Sequence, residues 1–331
     1  MKKMINDPDQ FVDEMLDGLC AAHPQLVRDP GNKRVVYTRS APIKDKVGIV
    51  SGGGSGHLPL FVGYVGNGLL DACSIGEVFA GPTVDSCEAA IRAANGGAGV
   101  LCLYGNYGGD RMNFDLASEF LADEGIEIKT VLGTDDIASA SPAESEKRRG
   151  VAGIVYAFKA AGTLSARGAN LEDVARIAQK AVDRCRTIGC ALSPCQIPGA
   201  DSPNFEIADD EIEMGMGIHG EPGIWRDKLK SADAIADEMV ERLLAEAPTD
   251  ASGRISVLVN SLGATPLEEL YILYRRIRQQ TEAKGLQIIH PLVGHFVTSM
   301  EMAGASLSVI HLDDELEELL AAPADCPFWK V

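Results

Sequence analysis

KVGIVSGGGSGH, residues 46–57, is the stretch that decides the fold. An apolar run breaks off into a glycine cluster and ends on a histidine, as a buried strand entering a loop should. The pattern recurs in AGVLCLYGN (98–106), followed by NYGGD and a helical segment from about Phe114 to Asp123, and again in IEIKTVLG (126–133). Strands alternating with helices imply an α/β unit with a largely parallel sheet. Its site is expected in the loops at the carboxyl ends of the strands.

Farther along, KRRGVAGIVYAFKAAGTLSARG (147–168) and LEDVARIAQKAVDRCRTIG (171–189) read as helices, the second with Asn170 as N-cap and Gly189 as its stop. The Pro/Gly-rich SPCQIPGADSPN (193–204) marks the best domain boundary. It suggests a first α/β domain over 1–189 and a second, smaller α+β domain over 190–331. Strands are expected in the second at RISVLVNSL (254–262), VGHFVTS (293–299) and ASLSVIHL (305–312), with helices at 266–284 and about 313–321. Thr265 and Pro266 read as the N-cap and first position of the longer helix.

The 331 residues are enough for two compact units with real cores. A formal charge of −18, from 30 basic and 48 acidic residues, disfavours nucleic acid and anionic membranes as partners. No apolar run reaches the roughly 20 residues that span a bilayer, and the N-terminal MKKMINDPDQFVDEML has no signal-peptide core. The eight cysteines, at 20, 73, 87, 102, 185, 190, 195 and 326, show no CxxC or zinc spacing. They read as reduced thiols of a cytoplasmic protein.

Three segments carry possible chemistry. SGGGSGH (51–57) lets backbone approach a ligand closely, yet it lacks the Gly-Lys-Ser/Thr of a P-loop and does not fit GxGxxG. A small-ligand site and a plain packing turn fit it equally. GNYGGD (105–110) places Asp110 in a glycine-rich turn after a strand, where it could serve as a general base or simply cap a helix. Alone, the cap is the commoner case. MGMGIHGEPG (214–223) sets His219 between glycines that leave a ring nitrogen reachable, so attack on a ketone carbon is chemically open. The histidines at 23, 290, 295 and 311 lack such settings and read as structural or surface.

Taken together, MKKMIND, GGGSGH, NYGGD, RRGVAG, MGMGIHGEPG, VNSLGATPLEELY and HLDDE resemble the K subunit of bacterial dihydroxyacetone kinase, nearly end to end. The resemblance implies two domains, a homodimer and a ketose site. His219 matches the histidine that forms a hemiaminal with the C2 carbonyl. Asp110 matches the carboxylate that deprotonates the hydroxyl to be phosphorylated, and His57 the histidine that bonds the former carbonyl oxygen. Gly53, Gly54 and Gly105 match positions against the sugar. The family's nucleotide, ATP or ADP with Mg2+, sits on an all-helical domain or L-type subunit, so a partner carrying it is expected here and no metal on this chain.

Two departures stand out. GSGHLP has Leu58 where the family usually has an acid, and GNYGGD has Gly105 where many members have lysine. The space left by that lysine suggests that a four-carbon ketose such as erythrulose is accepted alongside dihydroxyacetone. Two other classes compete with the kinase subunit. One is a non-catalytic ketose sensor, which retention of Asp110 argues against. The other is a fatty-acid-binding protein, where the GIHGEPG histidine would have no role.

Overall fold

The structure, a computed structural model, describes residues 2–331. Its contacts divide the chain into two units of nearly equal size. The first comprises Lys2–Gly133, Tyr156–Lys180 and Leu319–Val331, and the second Thr134–Val155 and Ala181–Glu318. This corrects the single cut at 189/190: the chain passes from one unit to the other four times. Sequence proximity misleads here because long-range contacts, not neighbours in sequence, assemble each core.

In the first unit the order is α1 (Phe11–Ala22), β1 (Leu26–Arg28), β2 (Val35–Thr38), β3 (Gly48–Gly54), β4 (Ala72–Gly76), α2 (Val84–Ala94), β5 (Val100–Gly105), α3 (Gly108–Asp123) and β6 (Ile128–Gly133). Its six-stranded sheet runs β1-β2-β4-β3-β5-β6, parallel from β4 through β6 and antiparallel at β1 and β2. Val50, Ala72, Val100 and Cys102 of the sheet form one core with Cys87 and Ile91 of α2 and Phe114 and Leu121 of α3. The strand β3 continues through Gly52, Gly53 and Gly54, paired in register with Ser74, Ile75 and Gly76. The helix α3 starts at Gly108 and not near Phe114, because Gly108 and Gly109 fill a first turn whose N–H groups need no intrahelical partner.

The helices α4 (Ile154–Ala166) and α5 (Leu171–Asp183) follow. The Asn170 side chain caps α5, accepting from the Asp173 N–H at 2.9 Å. The expected start of a helix at 147 moves to Ile154: Pro142–Lys147 is a 3-10 turn, and the buried Asp135 carboxylate receives the N–H groups of Val151 and Gly153. Buried Lys159 has a structural task in the first unit, donating to the carbonyls of Leu319 and Ala322 and to Thr163.

The second unit contains β7 (Cys185–Ala191), β8 (Glu211–Met214), β9 (Trp225–Lys228), α6 (Ala232–Leu244), β10 (Arg254–Ser261), α7 (Leu267–Ala283), β11 (Gln287–Ile288), β12 (Leu292–Gly294), β13 (Gly304–His311) and most of α8 (Asp314–Ala321). Its sheet is mainly antiparallel in the order β11-β10-β13-β7-β8-β9, with β12 on β10. Ile188, Ile212, Val257 and Leu307 pack with Met239 and Leu243 of α6 and Leu270 and Ile277 of α7.

Three expectations need correction in this unit. The helix at 171–189 ends at Asp183, and CRTIGCA becomes β7 because β13 offers it a seven-residue antiparallel ladder. Gly189 is therefore a strand residue. Of VGHFVTS only the start is strand, since the Asn260 side chain accepts the N–H groups of Phe296 and Val297 that a ladder would use. Thr265 does not cap α7. Its hydroxyl exchanges hydrogen bonds with the backbone of Gly304, and Pro266 holds the cap position. Among the described residues no helix is long and apolar enough to cross a membrane.

Candidate active site

In the first unit, three loops leave the carboxyl ends of the adjacent parallel strands β4, β3 and β5. This is where an open parallel sheet places a ligand. After β3, Ser55–His57 makes one 3-10 turn, pinned when the N–H groups of Ser55 and Gly56 donate to the carbonyls of Glu77 and Val78 at 3.1 and 2.8 Å. A Cβ on Gly54 would lie 2.5 Å from the Val78 carbonyl oxygen, so the close approach of these two loops requires glycine there. His57 is 1% exposed and stacks on Phe79 with ring centroids 5.2 Å apart. The buried hydroxyls of Ser51 and Ser55 have no protein partner among the described residues, which leaves them capacity for a polar ligand or water.

At the end of β5, Gly105 is buried, facing Gly133 in the β6 register. Asp110 lies in the first turn of α3, half-buried, where the helix dipole favours its negative charge. Gly81 lies against its carboxylate. The segment Glu77–Gly81 after β4 thus touches both the glycine loop with His57 and Asp110. No motif marks it, although IGEVFAG (75–81) has the same strand-into-glycine form as the other two loops.

His219 belongs to the second unit, on the loop that joins β8 to β9. That loop is held at several points. The Gly217 N–H donates to the Glu221 carbonyl at 3.0 Å, Asn204 Nδ2 donates to the His219 carbonyl at 3.1 Å, and Glu213 accepts from the Gly223 N–H at 2.6 Å. The imidazole is 24% exposed, with Nδ1 3.0 Å from Glu221 Oε1. Burial opposes ionisation of Glu221, but its hydrogen bond with His219 and the charges of His219 and Arg149 prevail and lower its pKa to about 2. Arg149 also pairs with Asp136 at 2.8 Å. Burial raises the Asp136 pKa to about 6, against the pull of Arg149.

Glu221, Arg149 and Asp136 carry little signal in the sequence beyond the place of the first two inside GIHGEPG and RRGVAG. The structure thus groups His57, Asp110, Gly53, Gly54 and Gly105 in one unit and His219 in the other. All eight cysteines are free, and no cluster of metal-ligating side chains occurs among the described residues.

These features define a two-domain α/β protein whose loops suit a small polar ligand, with a reachable imidazole backed by a carboxylate. The Dak1 domain model matches residues 17–328. The chain is 43% identical over 332 residues, all of both chains, to the protein named PTS-dependent dihydroxyacetone kinase 2, dihydroxyacetone-binding subunit DhaK, of Listeria innocua. It is also 43% identical to the L-erythrulose kinase of Pectobacterium atrosepticum, of which it spans 56%. Among solved structures, the dihydroxyacetone kinase of C. freundii superposes with a TM-score of 0.91 at 34% identity, covering 99% of this chain and 60% of that one. The operon co-activator DhaQ superposes at 0.89 and 33% identity, covering 96% of this chain and 98% of that one. The chain belongs to the Dak1 family, and with it to the phosphotransferases of dihydroxyacetone-kinase type, which act on an alcohol group.

Proposed function

We propose that this chain is the ketose-binding catalytic subunit of a dihydroxyacetone-type kinase. It holds a three- or four-carbon ketose as a hemiaminal on His219 while a terminal hydroxyl is phosphorylated from a nucleotide on a separate subunit. The observation that carries the reading is His219 itself, a partly exposed imidazole on a pinned loop, in a chain that matches a dihydroxyacetone-binding subunit along its full length. In this scheme Nε2 adds to C2, and His57 donates a hydrogen bond to the former carbonyl oxygen. Asp110 takes the proton of the hydroxyl that attacks phosphorus. Fixing the acceptor covalently suits phosphoryl transfer, which depends mainly on positioning and electrostatics. A polyol without a carbonyl, such as glycerol, would be excluded.

Intact-mass measurement after incubation with dihydroxyacetone or erythrulose tests the adduct. One ketose should add to the wild type and none to His219→Ala. Tight binding and full turnover by His219→Ala would sink the reading.

Substrate length belongs to the same proposal. Of the two side chains that could fill the space beside Gly105, Tyr104 and Tyr107, the first is instead stacked on Phe114 in the core, with ring centroids 4.3 Å apart. Erythrulose should therefore be used at least as well as dihydroxyacetone, and the existence of a similar erythrulose kinase supports this. Gly105→Lys should shift kcat/KM toward the three-carbon sugar by roughly 10–200-fold, the range for about one methylene in a pocket. A strong dihydroxyacetone preference in the wild type, unmoved by the lysine, would end this part.

The similarity to the DhaQ co-activator favours one second reading, a ketose sensor that does not turn its ligand over. A wild type that forms the adduct yet transfers no phosphate with any nucleotide-carrying partner would establish it.

A further inference from the structure

Glu221 touches the His219 ring, and the scheme above gives it no task. We propose that Glu221 is a positioning residue that sets the tautomer of His219, placing the proton on Nδ1 so that Nε2 keeps the lone pair for attack. The inference rests on the reading of His219 as the ketose-binding residue and adds the group that makes it competent.

Both carboxylate oxygens of Glu221 are committed to His219. Oε2 accepts the His219 backbone N–H at 2.9 Å, and Oε1 stands 3.0 Å from Nδ1. An ionised carboxylate has only acceptors, so Nδ1 must donate and a neutral ring must carry its lone pair on Nε2. Other charges hold the carboxylate in place. Arg149 Nη1 lies 3.8 Å from Oε2, while Arg149 Nε and Nη2 bind Asp136 Oδ2 at 2.9 and 2.8 Å. Asp136 is itself anchored, its Oδ1 accepting the Ala138 N–H at 3.0 Å. Gly217 supplies a second, independent mark of this arrangement. A Cβ there would collide with Glu221 Oε2 and Arg149 Nη1, so the glycine two residues before the histidine makes room for the carboxylate behind it.

The step balances. The Nε2 lone pair forms the N–C2 bond, the carbonyl π pair moves to oxygen, and that oxygen takes one proton from a water molecule, whose hydroxide passes to bulk solvent. The ring is left cationic, with its charge at Nδ1–H opposite the Glu221 carboxylate, which stabilises the adduct. An Nε2–H tautomer would have no lone pair to offer until it lost that proton.

Side-chain 15N NMR of the full chain, labelled at histidine and kept above pH 8 without ketose, reads the tautomer directly. Wild-type His219, assigned by its loss in His219→Ala, should be Nδ1–H. Glu221→Gln should invert it, because its one oxygen is claimed by the His219 backbone N–H and its NH2 then faces Nδ1. Adduct formation, followed by intact mass, should slow by roughly 10²–10⁴-fold in that variant. Gly217→Ala, which pushes the carboxylate away, should give a mixture of tautomers and serves if Glu221→Gln does not fold. A wild-type His219 in the Nε2–H form overturns the proposal, as does a Glu221→Gln protein that keeps the Nδ1–H form or the wild-type rate. Failure of the ketose reading looks different: the wild type would form no adduct at all, while the tautomer measurement would still decide the role of Glu221.

Discussion

Asp110, the proposed base, owes its setting to its immediate neighbours in the chain. Gly108 and Gly109 open α3, so the carboxylate falls in the first turn, where the free N–H groups of the helix start favour its ionised form. That setting fits a base, and it equally fits a helix-start residue. Asp110→Asn separates the two because the amide keeps the shape and removes the basicity. We expect it to form the ketose adduct normally and, with a nucleotide-carrying partner, to lose ~10²–10⁴ in turnover. Turnover near wild type would leave Asp110 as a helix-start residue only. His57 is marked by the glycines before it, yet its surroundings depend on Phe79, 22 residues farther on in a segment that no motif marks.

At the scale of elements, β13 organises the second unit by pairing with both β10 and β7, and it ends on His311. This histidine is 2% exposed, and the pKa of its ring is lowered to about 4 by burial and by the charges of Arg184 and Arg186. An unfolded histidine titrates near 6.5. Between about 6.5 and 4 the unfolded chain therefore binds more protons at this position, and stability falls as the pH drops through that window. The full shift corresponds to about 3 kcal/mol. His311→Leu removes the titration, so its urea midpoint relative to wild type should improve on going from pH 7 to pH 4.5. If the two proteins keep a constant difference across that range, His311 is not the group responsible.

For the whole molecule, the proposal places the sugar on this chain and the phosphate donor on another. The Listeria relative is named a dihydroxyacetone-binding subunit and matches throughout, whereas the chain spans just over half of the Pectobacterium erythrulose kinase. Purified alone with ATP, Mg2+ and ketose, the chain should bind the sugar without phosphorylating it. Adding a nucleotide-carrying subunit should bring phosphorylated ketose into view by 31P NMR. Turnover by the chain alone, or a tight ATP site found on it by calorimetry, would refute the division of labour. The charge of −18 leaves such a partner free to dock through local contacts but disfavours nucleic acid.

The α/β class, the strands β3, β5, β6, β10 and β13, and the candidacy of His57, Asp110 and His219 are legible in the amino-acid sequence alone. Local composition suffices for these: apolar runs ending in glycine mark strand ends, and a histidine or aspartate among glycines stands out. The rest depends on contacts between segments far apart in the chain. CRTIGCA carries no decisive local preference and becomes β7 because β13 satisfies its backbone. The two units interleave along the chain because their cores are built from contacts between distant residues. Asp136, Arg149 and Glu221 form one ion-pair chain behind His219, although the first and last are far apart in sequence, because backbone pairing between Asp136 and Thr187 and the β7–β8 ladder tie those segments into one sheet system. Such a network is set by distances in space, which spacing along the chain does not record.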